Sequence, residues 1–582
     1  MSAPAGPAGP AGPEGGSAPG LAQRTVRRLI IYVLLYALVV IAAVGLSGLL
    51  GRLLVAGTEL ATGDAAGLAR SLAFTLIGGP LAALLWWAVW RRLHDGAERS
   101  SAGWGLYLAG TYTLSLIVAT SNLLGALASL VAGEPLAWRY PLATGLVWAA
   151  VWLWHRWMWR NPGRSPTRLA DVPTVLGSVL GLVIGVGGAV SALSTLFDAA
   201  LRGATAAASV GKPWWVSALQ SLVWAAGGGL VWWWHWKHDG GQRLRTGLAS
   251  VALVTVGVLG AGILTLGGAG VALFAVLRLL FDRTESPGLL LEPLAPAVAA
   301  AAIGSLVWAY HRAMARRRSD ATLEGGRLVT SGVALVAAAS GIGVIVNAVL
   351  AMLVTTLAGS GTRTLLLGGL SSLLVGGPVW WLAWNPAVRT GAVGTGATGS
   401  GATGTGAAGT GPDARRIYLV VVFGLSAVAA VITLLVIGFR VFEFFLDTVT
   451  GGSFLDRIRA PLGLLVATGL AAGYHFAVWR HDRAALAAAG AAGAARRRTI
   501  GHVILVTGAD PAPLHRVIDE VTGASVTVWR RADAGAAGGD AAVPGAGELA
   551  GRLSEALDGV TGKRVLVTIG PDGRIDVVPL VG

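Results

Sequence analysis

Long apolar runs separated by short polar segments are the main pattern of this chain. The run that follows Arg415 and Arg416 continues for about twenty residues without a charge, a length that crosses a hydrocarbon core of roughly 30 Å. A short polar loop and a second apolar run, which ends at Arg483, follow it. Because each helix in lipid must satisfy its own backbone hydrogen bonds, this stretch predicts a membrane hairpin of two helices.

Comparable runs recur along the chain and predict about twelve spanning helices. Their first residues are Leu29, Leu72, Gly105, Pro141, Val172, Trp214, Leu248, Leu294, Leu328, Leu365, Ile417 and Leu462. The second helix of each pair ends in tryptophans, then histidine or asparagine, then a basic residue in most copies, as in LVWWWHWKHD at 230–239. Such self-similarity indicates duplicated units. The predicted fold class is therefore an all-α polytopic membrane bundle of about six repeated helical hairpins with a small C-terminal α/β domain.

The pattern changes after Arg498, where short alternating segments replace the long apolar runs. HVILVTG and SVTVWRR are typical of strands, and the segments 511–521 and 547–557 are typical of helices. KRVLVTIGPDGRIDVVPL predicts a β-hairpin that turns at Pro571, Asp572 and Gly573. The predicted order is β-α-β-α-β-β, and the domain is expected on the cytoplasmic side.

The patterns divide the chain into hairpins, linkers and termini. The divisions are a disordered Pro/Ala/Gly tail at 1–26, hairpins at 27–100, 101–166, 167–241, 242–322, 323–390 and 414–484, a Gly/Ala/Thr linker at 391–413, a basic linker at 485–499 and the α/β domain at 500–582. The tail and the Gly/Ala/Thr linker have little to bury, so both are predicted to be flexible.

Composition and charge support a membrane protein. Hydrophobic residues make up 54% of the chain and charged residues 13%, and there is no cysteine, which excludes disulfides and thiolate chemistry. The formal net charge of +15 comes mostly from arginines at helix ends, whereas the C-terminal domain is slightly acidic. We therefore expect the lipid bilayer as a partner and no nucleic acid.

The distribution of basic residues also predicts orientation. Arginines concentrate in the loops between hairpins, and the positive-inside rule places these loops and both termini in the cytoplasm. The large excess of arginine over lysine is typical of high-GC bacterial genomes. The expected location is thus a bacterial cell membrane.

Two motifs resemble a known family. Arg-Arg-Ile-Tyr at 415–418 and RRLIIYVLLYALVVIAAVGLSGLL at 27–50 each open a first helix, while TLIGGPLAALLWWAVWRRL at 75–93 carries Gly-Gly-Pro and a Trp-rich basic end. This combination resembles the bacterial membrane family called domain of unknown function 5671, in about six tandem copies over roughly 27–483. Copies three and four lack the opening tyrosine and the Gly-Gly-Pro. The resemblance implies an integral membrane location and no particular activity.

Four histidines recur at the ends of second helices and form a repeated interface motif: His155, His235, His311 and His475. Each follows a Trp or Tyr, so haem or metal ligation and pH sensing are possible roles. The alternative, which we favour, is an aromatic and basic belt at the membrane surface, because the fifth hairpin has Asn385 at this position. No cofactor and no metal site is predicted.

Four further residues are candidates for a polar membrane site. Asn122 and Asn347 lie deep in first helices, where an amide either lines a substrate path or bonds a neighbouring helix. Arg440 and Glu443 share one face near the outer end of the eleventh helix, where long side chains reach the membrane surface at low cost.

No catalytic signature is present, so the protein is not expected to be an enzyme. The favoured function is a non-enzymatic membrane scaffold or interaction protein, with a protein partner at the cytoplasmic C-terminal domain. The alternative is a transporter or channel for an unknown solute. A third possibility, an enzyme of lipid or envelope chemistry, has no residue to support it.

Overall fold

Long helices account for most of the chain before its C-terminal sheet. The computed structural model describes residues 18–56, 64–204, 212–282, 285–354, 360–384, 410–446, 453–497, 500–508, 510–531, 546–557, 560, 563–570 and 573–580. Two compact units are formed, residues 1–472 and 473–582.

The long helices of the described residues are numbered here in chain order. They are α1 (Ala18–Val55), α2 (Ala65–Arg92), α3 (Ala102–Val131), α4 (Arg139–Arg160), α5 (Val172–Ala204), α6 (Trp214–Trp233), α7 (Gly247–Phe281), α8 (Leu294–Arg318), α9 (Asp320–Val354), α10 (Ser360–Trp384), α11 (Thr410–Leu446) and α12 (Phe454–Arg497). Short helices cover Gly96–Arg99, Gly241–Arg243 and Pro287–Leu291. Three stretches are π-helical: Phe74–Gly78 in α2, Trp234–His238 directly after α6, and Leu253–Gly260 in α7.

Ten helical segments of the described residues are long and apolar enough to cross a membrane. Two long helices, α4 and α6, are not among them, because their tryptophans and polar side chains lower the hydropathy. The membrane class predicted from the apolar runs is therefore confirmed, whereas the number of twelve spans stays a prediction.

Consecutive helices pack side by side through glycines. A Cβ atom at Gly181 would collide with the backbone of Trp232, and one at Gly188 with the backbone of Ala225. Residues further along α5 contact residues earlier in α6, so the two helices are antiparallel. Such close approach of backbones is typical of helix pairs that associate in lipid.

Several boundaries differ from those predicted. Helix α1 begins at Ala18, within the segment predicted as a disordered tail, with Pro19 in its first turn where proline is tolerated. Helix α12 continues through the predicted basic linker to Arg497, since alanine strongly favours helix there. Residues 1–17 of the tail and 391–409 of the Gly/Ala/Thr linker lie outside the described residues.

The C-terminal unit contains the predicted small sheet. Its elements are β1 (His502–Thr507), α13 (Pro511–Thr522), β2 (Ser525–Arg530), α14 (Ala546–Leu557), β3 (Arg564–Ile569) and β4 (Ile575–Leu580). The strand order is β2-β1-β3-β4, in which β1 runs parallel to β2 and β3, and β4 runs antiparallel to β3. Apolar side chains of α13 and α14 share one core with alternate residues of β1 and β3, such as Leu505 and Val567. Pro571 and Asp572 of the predicted turn lie outside the described residues.

Candidate functional site

The recurring histidines are buried. His155, His235, His311 and His475 expose only 3%, 1%, 3% and 0% of their surface, respectively. Of the neighbouring tryptophans, Trp154 is 45% exposed, whereas Trp236 is only 7% exposed. The histidine rings therefore lack the headgroup exposure expected of a surface belt and face into the packed helices.

Glycines on neighbouring helices make room for two of these rings. A Cβ atom at Gly177 of α5 would collide with His235, and one at Gly257 of α7 would lie 2.6 Å from Cδ2 of His311. Gly257 lies in the π-helical stretch of α7, and His235 lies in the one that follows α6. Local π-helical geometry is often found beside functional groups.

One hydrogen bond fixes the tautomer of three histidines. Nδ1 of His155, His235 and His311 lies 2.7 to 2.8 Å from the carbonyl oxygen four residues earlier in the chain. A carbonyl only accepts, so Nδ1 carries the proton and donates it. In the neutral ring, Nε2 is then an acceptor that faces away from its own helix.

Two tyrosines of α3 donate to these acceptors. Tyr107 Oη lies 3.0 Å from Nε2 of His155, and Tyr112 Oη lies 2.8 Å from Nε2 of His235. The first contact joins α3 to α4, whereas the second joins α3 to the end of α6. Buried phenols and imidazoles thus satisfy each other across helices, as buried polar groups must.

A buried ion cluster adjoins Tyr112. Arg156 of α4 donates to both carboxylate oxygens of Asp239, at 2.7 and 3.0 Å, and Arg160 is a second donor to the same carboxylate. Arg156 also donates to Tyr112 Oη at 3.3 Å. The side chain of Asp239 is fully buried and that of Arg156 is 9% exposed. Bidentate pairs of this kind are the strongest and most directional of protein ion pairs.

The cluster keeps Asp239 ionised. Burial by itself would raise the pKa of this carboxyl, but the hydrogen bonds of Arg156 and the positive charges of Arg156 and Arg160 lower it further than burial raises it. The net pKa of Asp239 lies below its ordinary value of 3.8. A negative charge is therefore held at this junction of α4 and α6 throughout the physiological pH range.

The opening motif of the first hairpin forms its own cluster. Tyr32 donates from Oη to Glu98 at 2.8 Å, and Nε of Arg28 lies 2.9 Å from the same carboxylate. Tyr32 also packs on the rings of Trp104 and Tyr107, with ring centroids 5.8 and 5.9 Å apart. The Arg-x-x-x-Tyr spacing thus fixes the loop helix Gly96–Arg99 to the start of α1.

The two candidate asparagines are placed differently. Asn122 is half-buried and donates to the carbonyl of Val118 in its own helix at 2.8 Å. Asn347 accepts from Arg459 of α12 at 3.1 Å and lines a cavity of about 1110 Å³ between α9, α11 and α12. Asn347 therefore bonds a neighbouring helix, whereas Asn122 bonds its own helix.

Arg440 and Glu443 form an exposed ion pair on α11. Their charged atoms are 2.9 Å apart, and the side chains are 48% and 32% exposed. The predicted shared face is present. An exposed pair at this spacing contributes little to stability.

Several apolar grooves lie between the described helices, and three of them reach candidate residues. One of about 540 Å³ is bounded by α1, α2 and α4 and reaches Tyr107 and His155, and one of about 330 Å³ is bounded by α5, α6 and α8 and reaches Tyr310 and His311. The third is the cavity of Asn347. The first two grooves end at equivalent aromatic and histidine pairs, Trp154-His155 and Tyr310-His311.

The described part of the chain brings hydrogen-bonding, charged and apolar side chains together at these sites. No group of three or more His, Asp or Glu side chains is placed there to hold a metal ion. The sequence did not single out Tyr107, Tyr112, Arg156 or Asp239. The one available signal was Asp239 itself, an acidic residue directly after a Trp- and His-rich helix end.

Long apolar helices joined to a small α/β domain, with polar clusters buried at helix ends, define an integral membrane protein. Comparison with protein families gives the particular family: the one described as Domain of unknown function (DUF5671) matches residues 28–137, 171–290 and 326–470, which is more than half of the chain. The protein belongs to this family, as its opening and Gly-Gly-Pro motifs predicted. The matches number three, so the prediction of about six copies is not confirmed. No curated protein and no solved structure matches the chain.

Proposed function

We propose that this protein is a non-enzymatic membrane scaffold or interaction protein that presents its C-terminal α/β domain to a protein partner. The single observation that carries the proposal is that many hydroxyl and amide side chains of the described spans are hydrogen-bonded within their own helices. A solute path needs polar side chains that face it, and most of those found here are bonded within their own helices.

The hydroxyl and amide groups of the spans show this most directly. Each of several donates to the carbonyl oxygen four residues earlier, at 2.6 to 2.8 Å; they are Ser115, Asn122, Thr255, Thr265, Thr433 and Thr468. A group bonded in this way is satisfied without a solute. The grooves between helices are lined mainly by aliphatic and aromatic side chains, which favour lipid over polar solutes.

The proposed topology has twelve spans in six hairpins, with both termini in the cytoplasm of a bacterial cell. The two helices that are less apolar, α4 and α6, support this number by their packing. Helix α4 has 22 residues, which at 1.5 Å per residue extend for about 33 Å. Helix α6 packs antiparallel to α5, and α5 is itself long and apolar enough to cross a membrane. Arginine-rich loops between hairpins favour the cytoplasmic side.

Partner capture tests the role of the C-terminal domain. The full chain, a chain truncated after Arg498 and a Leu553→Asp variant would be expressed in cells and cross-linked. Leu553 is fully buried in the core of the domain, so the charge should unfold the domain alone. We expect both altered chains to reach the membrane and to lose the partner.

Gly551→Ala is the matched control on the same helix, because a Cβ atom there meets nothing within 4 Å. This variant should keep the partner. Capture of the same partner by the truncated chain would refute a scaffold role for the domain.

Transport through the cavity at Asn347 is the alternative. Its volume of about 1110 Å³ and the lining amide of Asn347, which Arg459 bonds, favour this function. Solute flux into proteoliposomes would be compared between the natural chain and an Asn122→Leu/Asn347→Leu variant. A solute whose flux falls in the variant would support transport, and unchanged flux of every solute tested would count against it.

A further inference from the structure

The groove between α5, α6 and α8 ends at a buried histidine. It has a volume of about 330 Å³ and is lined by Gly185, Ala225, Gly229, Leu306, Tyr310 and His311, among others. From Ile303 to His311 it follows about two turns of α8. The walls of the groove are apolar, so the hydrophobic effect favours an apolar occupant everywhere except at the His311 end.

At this end of the groove, Nε2 of His311 is a hydrogen-bond acceptor that has no donor among the described residues. The residue is 3% exposed, and its Nδ1 is committed to the carbonyl of Val307 at 2.8 Å. Nε2 is therefore an acceptor, but no donor among the described residues bonds it. At the corresponding atoms of His155 and His235, a tyrosine hydroxyl fills this role. A buried acceptor of this kind costs free energy until a donor reaches it.

A small cavity adjoins the groove at His311. It measures about 30 Å³ and shares Leu182, Trp232 and His311 with the groove. This is room for about one group of the size of water. Ser178 also lines the cavity, and its hydroxyl donates to the carbonyl oxygen of Thr174 at 2.8 Å. Ser178 and His311 thus both present lone pairs to the cavity.

We propose that this site binds a single-chain lipid with a hydroxyl head. The alkyl chain lies in the groove, and the hydroxyl enters the small cavity and donates its proton to Nε2 of His311. A carboxylate head has no proton to donate to Nε2 of His311. An ammonium head is disfavoured because the guanidinium of Arg318 lies over Trp236, 5.7 Å from its centroid, and Trp236 lines the same cavity.

Photolabelling of the purified full chain in lipid nanodiscs tests the site. The probes are hexadecan-1-ol with a diazirine in its chain and the methyl ether of the same molecule, which has no donor. We expect the alcohol to label the peptides that contain Gly229 or residues 303–311 about fivefold more than the ether does, as one neutral hydrogen bond predicts.

Two glycine variants separate this site from general lipid contact. Gly229 lines the groove, and a Cβ atom there meets nothing within 4 Å, so Gly229→Leu fills the groove without a backbone clash. Gly187→Leu is the control, since Gly187 has equally open surroundings on α5. Labelling by the alcohol should be lost in the first variant and kept in the second. In His311→Leu, the alcohol and the ether should label equally.

Several results would overturn the proposal. Equal labelling of the natural chain by alcohol and ether would mean that water alone occupies the small cavity and membrane lipid the groove. Labelling that survives Gly229→Leu would mean that the probe binds elsewhere. Neither comparison depends on whether His311→Leu folds, and neither depends on the scaffold proposal.

Discussion

At the residue scale, the buried histidines act as acceptors of fixed orientation. Each of His155, His235 and His311 donates from Nδ1 to a carbonyl of its own helix, and Nε2 of the first two accepts from a tyrosine on another helix. The partner of Nε2 determines the role of the ring. Where a tyrosine donates to Nε2, the histidine links two helices. Where Nε2 has no donor among the described residues, as in His311, we propose that it binds a ligand.

Removal of the charge at Asp239 should destabilise the protein strongly. Asp239→Asn leaves Arg156 without its carboxylate in a buried position, which costs on the order of 3 kcal/mol. Thermal unfolding in detergent would measure the loss. Asp64→Asn is the matched control, because Asp64 pairs with Arg52 at an exposed position. This variant should unfold at the same temperature as the natural chain. Equal midpoints for all three chains would contradict the role of the cluster.

The contribution of Asp239 should also depend on pH. Its pKa in the folded protein lies below the ordinary value of 3.8, so the unfolded chain binds the proton more tightly. The stabilisation is therefore fully present above about pH 4 and is lost as the pH falls through the folded pKa. The difference in stability between the natural chain and Asp239→Asn, measured by denaturation, should be constant from about pH 5 to 8 and shrink below about pH 4. A difference that grows on acidification would reverse the sign of the argument.

The hydroxyl of Tyr112 should contribute through His235. Tyr112→Phe keeps the buried ring but removes the donor to Nε2, which leaves an unsatisfied acceptor that costs about 1–2 kcal/mol. Tyr140→Phe removes a hydroxyl from a ring that is 43% exposed, so it should be nearly neutral. Calorimetric unfolding of both variants gives the comparison. A Tyr112→Phe variant as stable as Tyr140→Phe would show that the contact contributes nothing.

Residue types could be predicted from the sequence, but their partners could not. The histidines stood out because they recur at one position of a repeat. Their burial depended on Gly177 and Gly257, which belong to other helices, and the partner of Arg156 is a residue distant in the chain. Contacts across helices depend on how the helices cross, and one sequence contains no direct measure of that.

At the scale of elements, glycines set how closely two helices approach. Gly185 of α5 lies against Gly228 and Gly229 of α6, and an added Cβ would be 2.9 Å from the backbone nitrogen of Gly229. Lipid gives no hydrophobic gain to helix contact, so such packing has to supply the association.

Gly188→Leu should separate α5 from α6. A side chain at Gly188 collides with the backbone of Ala225, and the strain should cost about 2–3 kcal/mol. Gly187→Leu, one residue away in open surroundings, should be neutral or slightly stabilising because leucine favours helix more than glycine does. Unfolding midpoints in detergent would separate the two. If the order were reversed, the close contact would not be the determinant.

Helix positions followed closely from the apolar pattern, but helix ends did not. The predicted starts at Val172, Trp214 and Leu294 coincide with the starts of α5, α6 and α8. By contrast, α1 starts before the apolar run and α12 extends past it. A helix continues beyond the membrane wherever alanine and leucine permit it, and the hydrophobic pattern reports only the part that lipid requires to be apolar.

At the scale of the whole molecule, the proposed orientation can be checked because the chain has no cysteine. Ala97 lies in the loop between the first two hairpins, Ala137 lies in the loop between α3 and α4, and both are exposed. With cytoplasmic inter-hairpin loops, Ala137→Cys should react with a membrane-impermeant maleimide in intact cells. Ala97→Cys should react only after permeabilisation. The opposite result would invert the topology.

The π-helical stretch Leu253–Gly260 has a consequence for how the length of this chain can change. A π turn closes its hydrogen bonds over one more residue than an α turn, so it accommodates a single extra residue in a continuous helix. Deletion of one residue there would turn the π stretch into α-helix and leave the rest of α7 facing as it does now. Thr265 and Gly268 would still lie against Gly304 and Ala297 of α8. The same deletion after Gly260 would rotate everything beyond it by about 100°, so the π stretch is where α7 can change its length by one residue without a change of rotational phase.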